Sequence, residues 1–263
     1  MTDNGAAKRV IIKSDAETLA DYVAARFMNR IVKRVADGKR MHVCLTGGTM
    51  GGAVLRAAAR DPRIADIDWS LVHFWFGDER FVPRDSDDRN DKQARTAFLD
   101  ALDIPAENVH TVASSDDGID LDGAAIAYAD ELAQFAPSDR SETGPWPSFD
   151  ICFLGVGPDA HIASLFPDRA EISVTDRATV PVRDSPKPPP ERVSLTRPVI
   201  NSSKRVWMVI AGADKAAALG LALAGASYQS VPAAGAKGRR RTAFFVDEAA
   251  ADQVPPQLID REY

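Results

Sequence analysis

The chain has 263 residues, enough for one large α/β domain or two small ones with a full core. Its hydrophobic fraction of 45% is ordinary for a globular protein, and its formal net charge of -6 argues against broad nucleic-acid binding. The basic run at 237–241 is interpreted as a solvated turn before a strand, with attraction of an anionic substrate as the alternative.

The N-terminal sequence, the length of the apolar stretches and the two cysteines narrow the class of protein further. The N-terminus has no signal pattern, and no stretch reaches the roughly 18 apolar residues that span a bilayer, so we expect a cytoplasmic protein without a membrane partner. Cys44 and Cys152 both fall inside apolar strand candidates, where cysteine acts as a small hydrophobe. They indicate neither a disulfide framework nor a zinc site, and we expect no metal.

Strand and helix patterns alternate along the first part of the chain. Apolar runs predict strands at 8–13, 41–45, 69–76, 108–112 and 149–154. Helical patterns with start and stop signals occur at 15–37, 53–60, 91–102 and 122–135. This rhythm predicts the α/β class, with a mainly parallel twisted sheet and helices on both faces.

The rhythm loosens after residue 154. Strand candidates at 179–182 and 192–196 flank a loop at 186–190 that is too proline-rich to be helical. The remaining elements are a strand at 204–211, a helix at 214–223 and a strand at 242–246. Since the polar segment 137–148 is a surface loop rather than a convincing linker, we expect one α/β domain over residues 1–263.

A glycine-rich loop, 46–52, lies between a predicted strand and a predicted helix. Its glycines let backbone N–H groups converge on an anion at the positive end of the helix dipole. No Gly-Lys-Ser/Thr follows, and the spacing is not that of a dinucleotide fingerprint, so Gly47, Gly48 and Thr49 predict binding of a single phosphate rather than of ATP or NAD. The alternative is a glycine-rich turn without a ligand.

Charged residues follow two other predicted strands. Arg80, in Gly77-Asp78-Glu79-Arg80, can hold a phosphate or carboxylate in a fork, although a structural ion pair is the alternative interpretation of these charges. Lys215 begins a helix directly after a strand. It is a phosphate-ligand candidate there, or an ordinary lysine on a solvated helix face.

The segment 154–167 is the most informative part of the chain. Two glycines leave a buried strand in a tight turn that presents Asp159 two residues before His161. Because open α/β sheets hold ligands at the carboxyl ends of their strands, His161 is a general-base candidate, with Asp159 orienting it or contacting substrate. The alternative is a histidine that caps or packs the turn. His42, His73 and His110 fall inside predicted strands, and we assign them to packing.

Together these segments resemble the 6-phosphogluconolactonases. The resemblance rests on Thr46-Gly47-Gly48-Thr49, residues 77–83, residues 154–167, Lys187 to Thr196, and Gly212 to Ala216. It runs from about residue 8 to about residue 250. The chain departs from the family pattern at Met50-Gly51-Gly52, at Arg197, and at Ala160, which replaces a glycine and restricts the backbone beside the histidine.

The resemblance implies hydrolysis of 6-phospho-D-glucono-1,5-lactone in the pentose phosphate pathway, without a cofactor. It also implies the fold of glucosamine-6-phosphate deaminases and ribose-5-phosphate isomerases. In this interpretation His161 is the base, Asp159 positions it or the sugar, and the phosphate contacts are Gly47, Gly48, Thr49, Arg80 and Lys215. The partner is a small sugar-phosphate lactone, and the protein is a monomer or a small homo-oligomer.

Two other functions stay open at this point. One is an isomerase or deaminase acting on an amino-sugar phosphate, and the other is a regulatory module that only binds a sugar phosphate. The resemblance argues against the deaminase, because deaminases of this fold carry a supporting glutamate where this chain has Phe166. The pair Asp159 and His161 argues against a mere sensor, and no DNA-binding segment supplies its usual output.

Overall fold

A computed structural model of the chain describes residues 8–139, 141 and 143–259. The strands of this part are β1 (Lys8–Lys13), β2 (Met41–Leu45), β3 (Val72–Phe76), β4 (Asp78–Arg80), β5 (Ile151–Leu154), β6 (Thr179–Val182), β7 (Arg192–Leu195), β8 (Arg205–Ile210) and β9 (Arg241–Asp247). The α-helices are α1 (Ala16–Ala36), α2 (Gly48–Ala58), α3 (Asn90–Ala97), α4 (Leu121–Gln134), α5 (Arg197–Asn201) and α6 (Ala216–Leu223). No helix in the described part of the chain is both long and apolar enough to cross a membrane.

Six strands form a parallel sheet in the order β1-β9-β8-β5-β2-β3. The predicted parallel α/β sheet is therefore confirmed. A second, antiparallel sheet of three strands has the order β4-β7-β6. Strand β4 was not predicted, because three consecutive charged residues carry no apolar alternation.

Helices cover both faces of the parallel sheet, as predicted. Along β5, Ile151 and Phe153 belong to the core cluster that includes α1 and α2, whereas Cys152 and Leu154 belong to the cluster with α4 and α6. This alternation follows from the two-residue period of a strand, which sends successive side chains to opposite faces. The near-continuous apolar runs of the central strands are those of a sheet buried on both sides.

The predicted strand at 108–112 is wrong. Val109 forms only an isolated bridge with Phe74, and a short 3₁₀ turn ends at Asn108. The segment does not continue along β3, because the hydroxyl of Tyr128 accepts from the N–H of Phe76 at 2.8 Å and donates to its carbonyl at 3.0 Å. The carbonyl of Val112 instead accepts from the buried guanidinium of Arg89 at 2.7 Å. The predicted strand at 69–76 begins later, at Val72, after a 3₁₀ turn capped by Asp68.

Helix boundaries also differ from the predictions. Helix α2 begins at Gly48 rather than at residue 53, since the glycines that resemble a loop form its first turn. Helix α3 ends at Ala97 and is followed by a 3₁₀ turn, so the predicted helix at 91–102 is too long. The predicted loop at 137–148 includes Arg140 and Glu142, which lie outside the described residues.

The chain order of the sheet creates a switch point between β2 and β5. From β2 the chain continues outward to β3, whereas from β5 it continues in the opposite direction to β8 and β9. A crevice opens at the carboxyl ends of the strands where the winding direction reverses, and ligands bind there in open α/β sheets. The segments after β2 and β5 are the glycine-rich loop and the His161 turn, so both lie at this crevice.

Candidate active site

A cleft of about 620 Å³ opens at the carboxyl ends of β2, β5 and β8. Its lining contains these residues of the predicted site: Gly47, Gly48, Thr49, Arg80, His161 and Lys215. Asp159 is not in the lining, but its carboxylate contacts Nδ1 of His161. The structure therefore brings together residues that are up to 168 positions apart in the chain.

The glycine-rich loop forms the start of α2. Gly47 is the N-cap residue and has no side chain to cap this end, and Gly48 has a φ of 78°, which favours glycine. A Cβ on Gly47 would lie 1.8 Å from Asn90 Oδ1, and one on Gly51 would lie 2.3 Å from the carbonyl oxygen of Thr46. The glycines thus permit close packing of the helix start, whose first N–H groups have no acceptor within the helix.

His161 is held against Asp159 by the turn that follows β5. The Nδ1 atom of His161 lies 2.6 Å from Asp159 Oδ1, and the backbone N–H of Gly157 donates to the carbonyl of His161 at 3.0 Å. A Cβ on Gly157 would lie 2.0 Å from the same Nδ1, so only glycine fits there. Because a carboxylate only accepts hydrogen bonds, Nδ1 carries the proton and Nε2 is left as the basic nitrogen.

Asp159 is a carboxylate in this arrangement. Partial burial alone would raise its pKa, but the hydrogen bond with His161, the charge of His161 when its ring is protonated and the charge of Lys187 outweigh burial and hold the pKa of Asp159 well below its usual range. Lys187 Nζ lies 3.5 Å from Asp159 Oδ1 and 3.5 Å from His161 Nδ1. The pair is therefore a histidine oriented by an ionised acid with a cation beside both.

Ala160 takes the conformation that glycine would take more readily. Its φ is 66°, in the left-handed region, where an L-residue other than glycine costs about 1–2 kcal/mol. Its side chain is buried and its carbonyl accepts from the N–H of Ala233 at 3.0 Å. Packing of the 3₁₀ turn at Pro232–Gly235 against this residue holds the strained turn in place.

The charged residues after β3 have two different roles, since Glu79 supports the fold and Arg80 faces the cleft. Glu79 is fully buried and accepts from the backbone N–H groups of Asn90 and Asp91, at 2.7 and 2.9 Å. It caps α3 and therefore has a structural role, while the close ion pair of Arg89, at 2.8 Å, is with Asp91. Burial and the charge of Asp91 raise the pKa of Glu79 to about 8. Arg80 instead enters the cleft, where its Nη1 donates to the carbonyl of Asp88 at 2.5 Å. Its buried Nε has no partner among the described residues.

Lys215 reaches the same cleft from a 3₁₀ turn that precedes α6. Its side chain is only 22% exposed, which excludes the solvated-face interpretation. Lys215 Nζ lies 2.7 Å from Asp214 Oδ2, so an anion in the cleft would share this ammonium with an exposed carboxylate. Lys215, in the turn after β8, and Arg80, at the end of β4, thus contribute two cations to the cleft from separate segments of the chain.

Sequence reasoning gave no role to Lys187, which the structure places beside Asp159 and His161. Its loop is held by Arg192, which donates to the carbonyls of Lys187 at 2.9 Å, Pro188 at 3.1 Å and Pro189 at 3.1 Å. One lysine among prolines, followed by an arginine, was the available signal. Only the fold shows that this loop reaches a turn some 26 residues away in the sequence.

Asp78 is the other cleft residue without a predicted role. Its Oδ2 accepts from Ser164 Oγ at 2.6 Å, and Ser164 Oγ in turn lies 3.4 Å from Arg192 Nη1. This buried network ties β4, the His161 turn and β7 together. The sequence gives Asp78 no role of its own, because it stands within a run of charges that also fits a structural ion pair.

The other three histidines form a stack on one face of the parallel sheet. The rings of His42 and His73 lie 4.9 Å apart, and those of His73 and His110 lie 5.2 Å apart. His73 Nδ1 is 2.9 Å from His110 Nε2, and His110 Nδ1 is 2.5 Å from Glu131 Oε1. The packing role is confirmed, but the placement of His110 in a strand is wrong. No group of three potential ligands able to hold a metal ion occurs in residues 8–139, 141 and 143–259.

The fold and this cleft define a class of open α/β protein. Its members have a helix N-terminus suited to binding an anion, and a histidine hydrogen-bonded to an aspartate, at the switch point of the sheet. The family model described as glucosamine-6-phosphate isomerases/6-phosphogluconolactonase matches residues 14–245. Similar curated proteins include the 6-phosphogluconolactonase of Streptomyces coelicolor, 44% identical, with 95% of this chain and 96% of that protein covered. The 6-phosphogluconolactonase of Mycobacterium tuberculosis is 45% identical, with coverage of 92% and 96%.

Solved structures show the same likeness. The structure of 6-phosphogluconolactonase from Thermotoga maritima matches with a TM-score of 0.78 at 27% identity, covering 92% of this chain and all of that one. That of the enzyme from Trypanosoma brucei matches with a TM-score of 0.82 at 25% identity, covering 94% and 99%. A monomeric glucosamine-6-phosphate deaminase shares the fold, with a TM-score of 0.72 at 19% identity and coverage of 93% and 99%. The chain belongs to the glucosamine-6-phosphate isomerase/6-phosphogluconolactonase family.

Proposed function

We propose that this chain is a 6-phosphogluconolactonase, which hydrolyses 6-phospho-D-glucono-1,5-lactone to 6-phospho-D-gluconate in the pentose phosphate pathway, as one domain over residues 1–263 and without a cofactor. The observation that carries the proposal is the pair of His161 and Asp159 in a cleft that also contains Arg80, Lys215 and the uncapped start of α2. One part of the cleft suits a proton transfer and the other suits a phosphate. The relatives named 6-phosphogluconolactonase support the same activity.

The proposed reaction needs one base and one water. His161 Nε2 takes a proton from water, and the water oxygen forms a bond to the lactone carbonyl carbon, which creates an oxyanion. When the oxyanion collapses, the bond between that carbon and the ring oxygen breaks, and the ring oxygen takes the proton back from His161. Asp159 keeps Nδ1 protonated and stabilises the imidazolium that forms between the two transfers.

The proposed phosphate site is the start of α2 together with two cations. Backbone N–H groups of Gly47, Gly48 and Thr49 donate to the phosphate, and the positive end of the helix dipole favours its charge. The charges of Arg80 and Lys215, both of which line the cleft, complete the site. Binding energy from the phosphate fixes the distant carbonyl beside the water.

The contacts of His161 favour the lactonase over the deaminase alternative. The ring of Phe166 lies 4.7 Å from the ring of His161, so an apolar surface covers the imidazole on this side. In sugar ring opening a histidine that shuttles the proton needs a neighbouring acid that adjusts its pKa. Hydrolysis needs only a base, here His161 oriented by Asp159. We therefore expect no release of ammonia from glucosamine 6-phosphate and no isomerisation of ribose 5-phosphate.

The function is tested by acid release from freshly made 6-phosphogluconolactone, corrected for spontaneous hydrolysis. We expect release that depends on enzyme concentration and is much slower with unphosphorylated gluconolactone. Ammonia production from glucosamine 6-phosphate that disappears in His161→Gln would instead establish the deaminase. Binding of 6-phosphogluconate without turnover of any of these substrates would indicate a binding module.

We further propose that the protein acts in the cytoplasm as a monomer or a small homo-oligomer, with no nucleic-acid partner. Cys44 and Cys152 are free and buried, which suits a reducing compartment. The net charge of -6 disfavours nucleic acid. Sedimentation of the purified chain tests the oligomeric state.

A further inference from the structure

A second cleft, of about 200 Å³, lies at the edge of the sheet where the parallel strands begin. We call it the basic cleft. Six cationic residues contribute to its lining, namely Arg30, Lys33, Arg34, Lys204, Arg205 and Arg240. Among the residues that the structure describes, only two acidic ones line it, Asp37 and Asp150. This is a local excess of positive charge in a chain whose net charge is -6.

The basic cleft is separate from the candidate active site. Arg205 begins β8 and lines the basic cleft, whereas Ile210 ends the same strand and lines the cleft that contains His161. Five steps along a strand cover roughly 17 Å at about 3.3 Å per residue. The basic cleft also takes up Arg240 from the basic run at 237–241, which the proposed reaction does not use.

One of the two acidic residues, Asp150, already has hydrogen-bond and ion-pair partners within the protein. Asp150 is buried, and its Oδ1 lies 2.7 Å from Lys204 Nζ and 3.7 Å from Arg34 Nε. Its Oδ2 accepts from the backbone N–H of His42 at 3.2 Å. Asp150 therefore holds two of the cations in fixed positions, whereas Arg30, Lys33 and Arg240 form no ion pair with either acid of the described lining.

The cations on α1 share one face of the helix. Arg30, Lys33 and Arg34 are spaced by three and four positions, which makes them neighbours on the helix surface. Like charges at this spacing destabilise a helix, although the negative end of its dipole offsets part of that cost. Arg30 is held in place by the ring of Trp207, whose centroid lies 5.9 Å from the guanidinium carbon. An anion in the cleft would relieve this repulsion.

We propose that the basic cleft binds a small anion with two or more phosphate groups, at a site distinct from the active site. Guanidinium and ammonium groups from three segments of the chain converge on it, and arginine matches the geometry of phosphate oxygens. The volume is below the range of about 300–1,000 Å³ for drug-sized ligands, which suits a compact ligand. Among the described residues that line it, none is aromatic, so the cleft offers no surface for stacking a nucleobase.

Calorimetric titration of the full chain with inorganic pyrophosphate, in 150 mM salt as a physiological condition, tests the proposal. We expect saturable binding that weakens by at least about tenfold in the double variant Arg30→Gln/Arg240→Gln. The matched control is Lys237→Gln, which removes an exposed cation of the same basic run that does not line the cleft. The control should bind like the wild type, and both variants should keep wild-type lactone hydrolysis.

Each other outcome overturns the proposal. Equal affinity in the wild type and the double variant means that pyrophosphate binds elsewhere, and loss of binding only in Lys215→Ala places it in the active site. No binding in 150 mM salt means that the cations are merely solvated. Tighter binding of an oligodeoxythymidine than of pyrophosphate indicates a polymer rather than a small anion. None of these results depends on the lactonase activity itself.

Discussion

The molecule places histidine in two contrasting environments. In the histidine stack, His73 and His110 are buried on a sheet face, and their ring nitrogens contact each other and Glu131. His161 instead lies in a turn beyond the end of β5, with Asp159 on one nitrogen and the cleft on its other side. A ring whose polar atoms are satisfied within the core stabilises the fold, whereas a ring with one basic nitrogen left at a cleft is available for chemistry.

The sharpest way to break this comparison is His161→Gln. Glutamine keeps a polar side chain of similar reach but cannot take a proton from water at neutral pH. We expect kcat for the phosphorylated lactone to fall by roughly 10²-fold or more, with KM nearly unchanged. Steady-state kinetics measure both, and urea unfolding checks that stability is retained. Wild-type kcat in a folded variant would refute the base assignment.

The cations at the other part of the cleft should affect substrate choice rather than the proton transfer. We expect Lys215→Ala to lower kcat/KM for the phosphorylated lactone by about 30-fold, because a charge-assisted contact worth about 2 kcal/mol is lost. Arg80→Ala should act in the same direction. Unphosphorylated gluconolactone should be hydrolysed at an almost unchanged rate. Equal losses on both substrates would mean that these cations serve the oxyanion or the fold.

The same two environments show what a sequence can predict. His42 and His73 stand in apolar runs of strand length, and such runs predicted their packing and most of the parallel sheet. The pair of Asp159 and His161 is only two residues apart, so a local pattern was sufficient to suggest it. Local periodicity reports which face is buried, and turn glycines report where the backbone must bend.

Contacts between distant segments were beyond this reasoning. The stack of His73 on His110 depends on a segment that meets β3 at a single bridge, which no local pattern encodes. Lys187 approaches His161 because Arg192 holds a proline-rich loop by its carbonyls. Such placements follow from tertiary packing, and the glycine-rich start of α2 was predicted as a loop for the same reason.

A change within the histidine stack should lower stability and spare the reaction. We expect His73→Phe to lower the free energy of unfolding by about 2 kcal/mol, because His110 Nε2 loses its buried partner at 2.9 Å. The kcat should stay within about twofold of wild type, since the stack does not line the cleft. Urea unfolding at pH 7.5 measures the first effect. A tenfold loss of kcat at full stability would contradict the division between the two environments.

Substitutions at Lys187 test whether a cation must hold Asp159 in position beside His161. We expect Lys187→Met to lower kcat by about tenfold, because Asp159 loses a charge 3.5 Å away that helps to fix its position. Lys187→Arg should recover most of the activity, and Lys39→Met is a control at an exposed lysine outside the cleft. Equal kcat in Lys187→Met and Lys39→Met would show that Lys187 has no part in positioning.

The last comparison concerns pH, and it separates buried from available histidine by stability alone. Burial and the charge of His110 lower the pKa of His73 to about 4, so the unfolded chain binds a proton near pH 6.5 that the folded chain does not. This contribution to stability is complete above pH 6.5 and decreases as the pH falls towards 4, by at most about 1.4 kcal/mol per pH unit. Urea unfolding at pH 7, 6 and 5 should therefore show a weaker pH dependence in His73→Phe than in the wild type. Taking the difference cancels groups remote from His73 and includes its influence on His42, whose pKa the charge of His73 also lowers. Identical pH dependence would mean that His73 takes up its proton equally well in the folded chain, as an exposed histidine does.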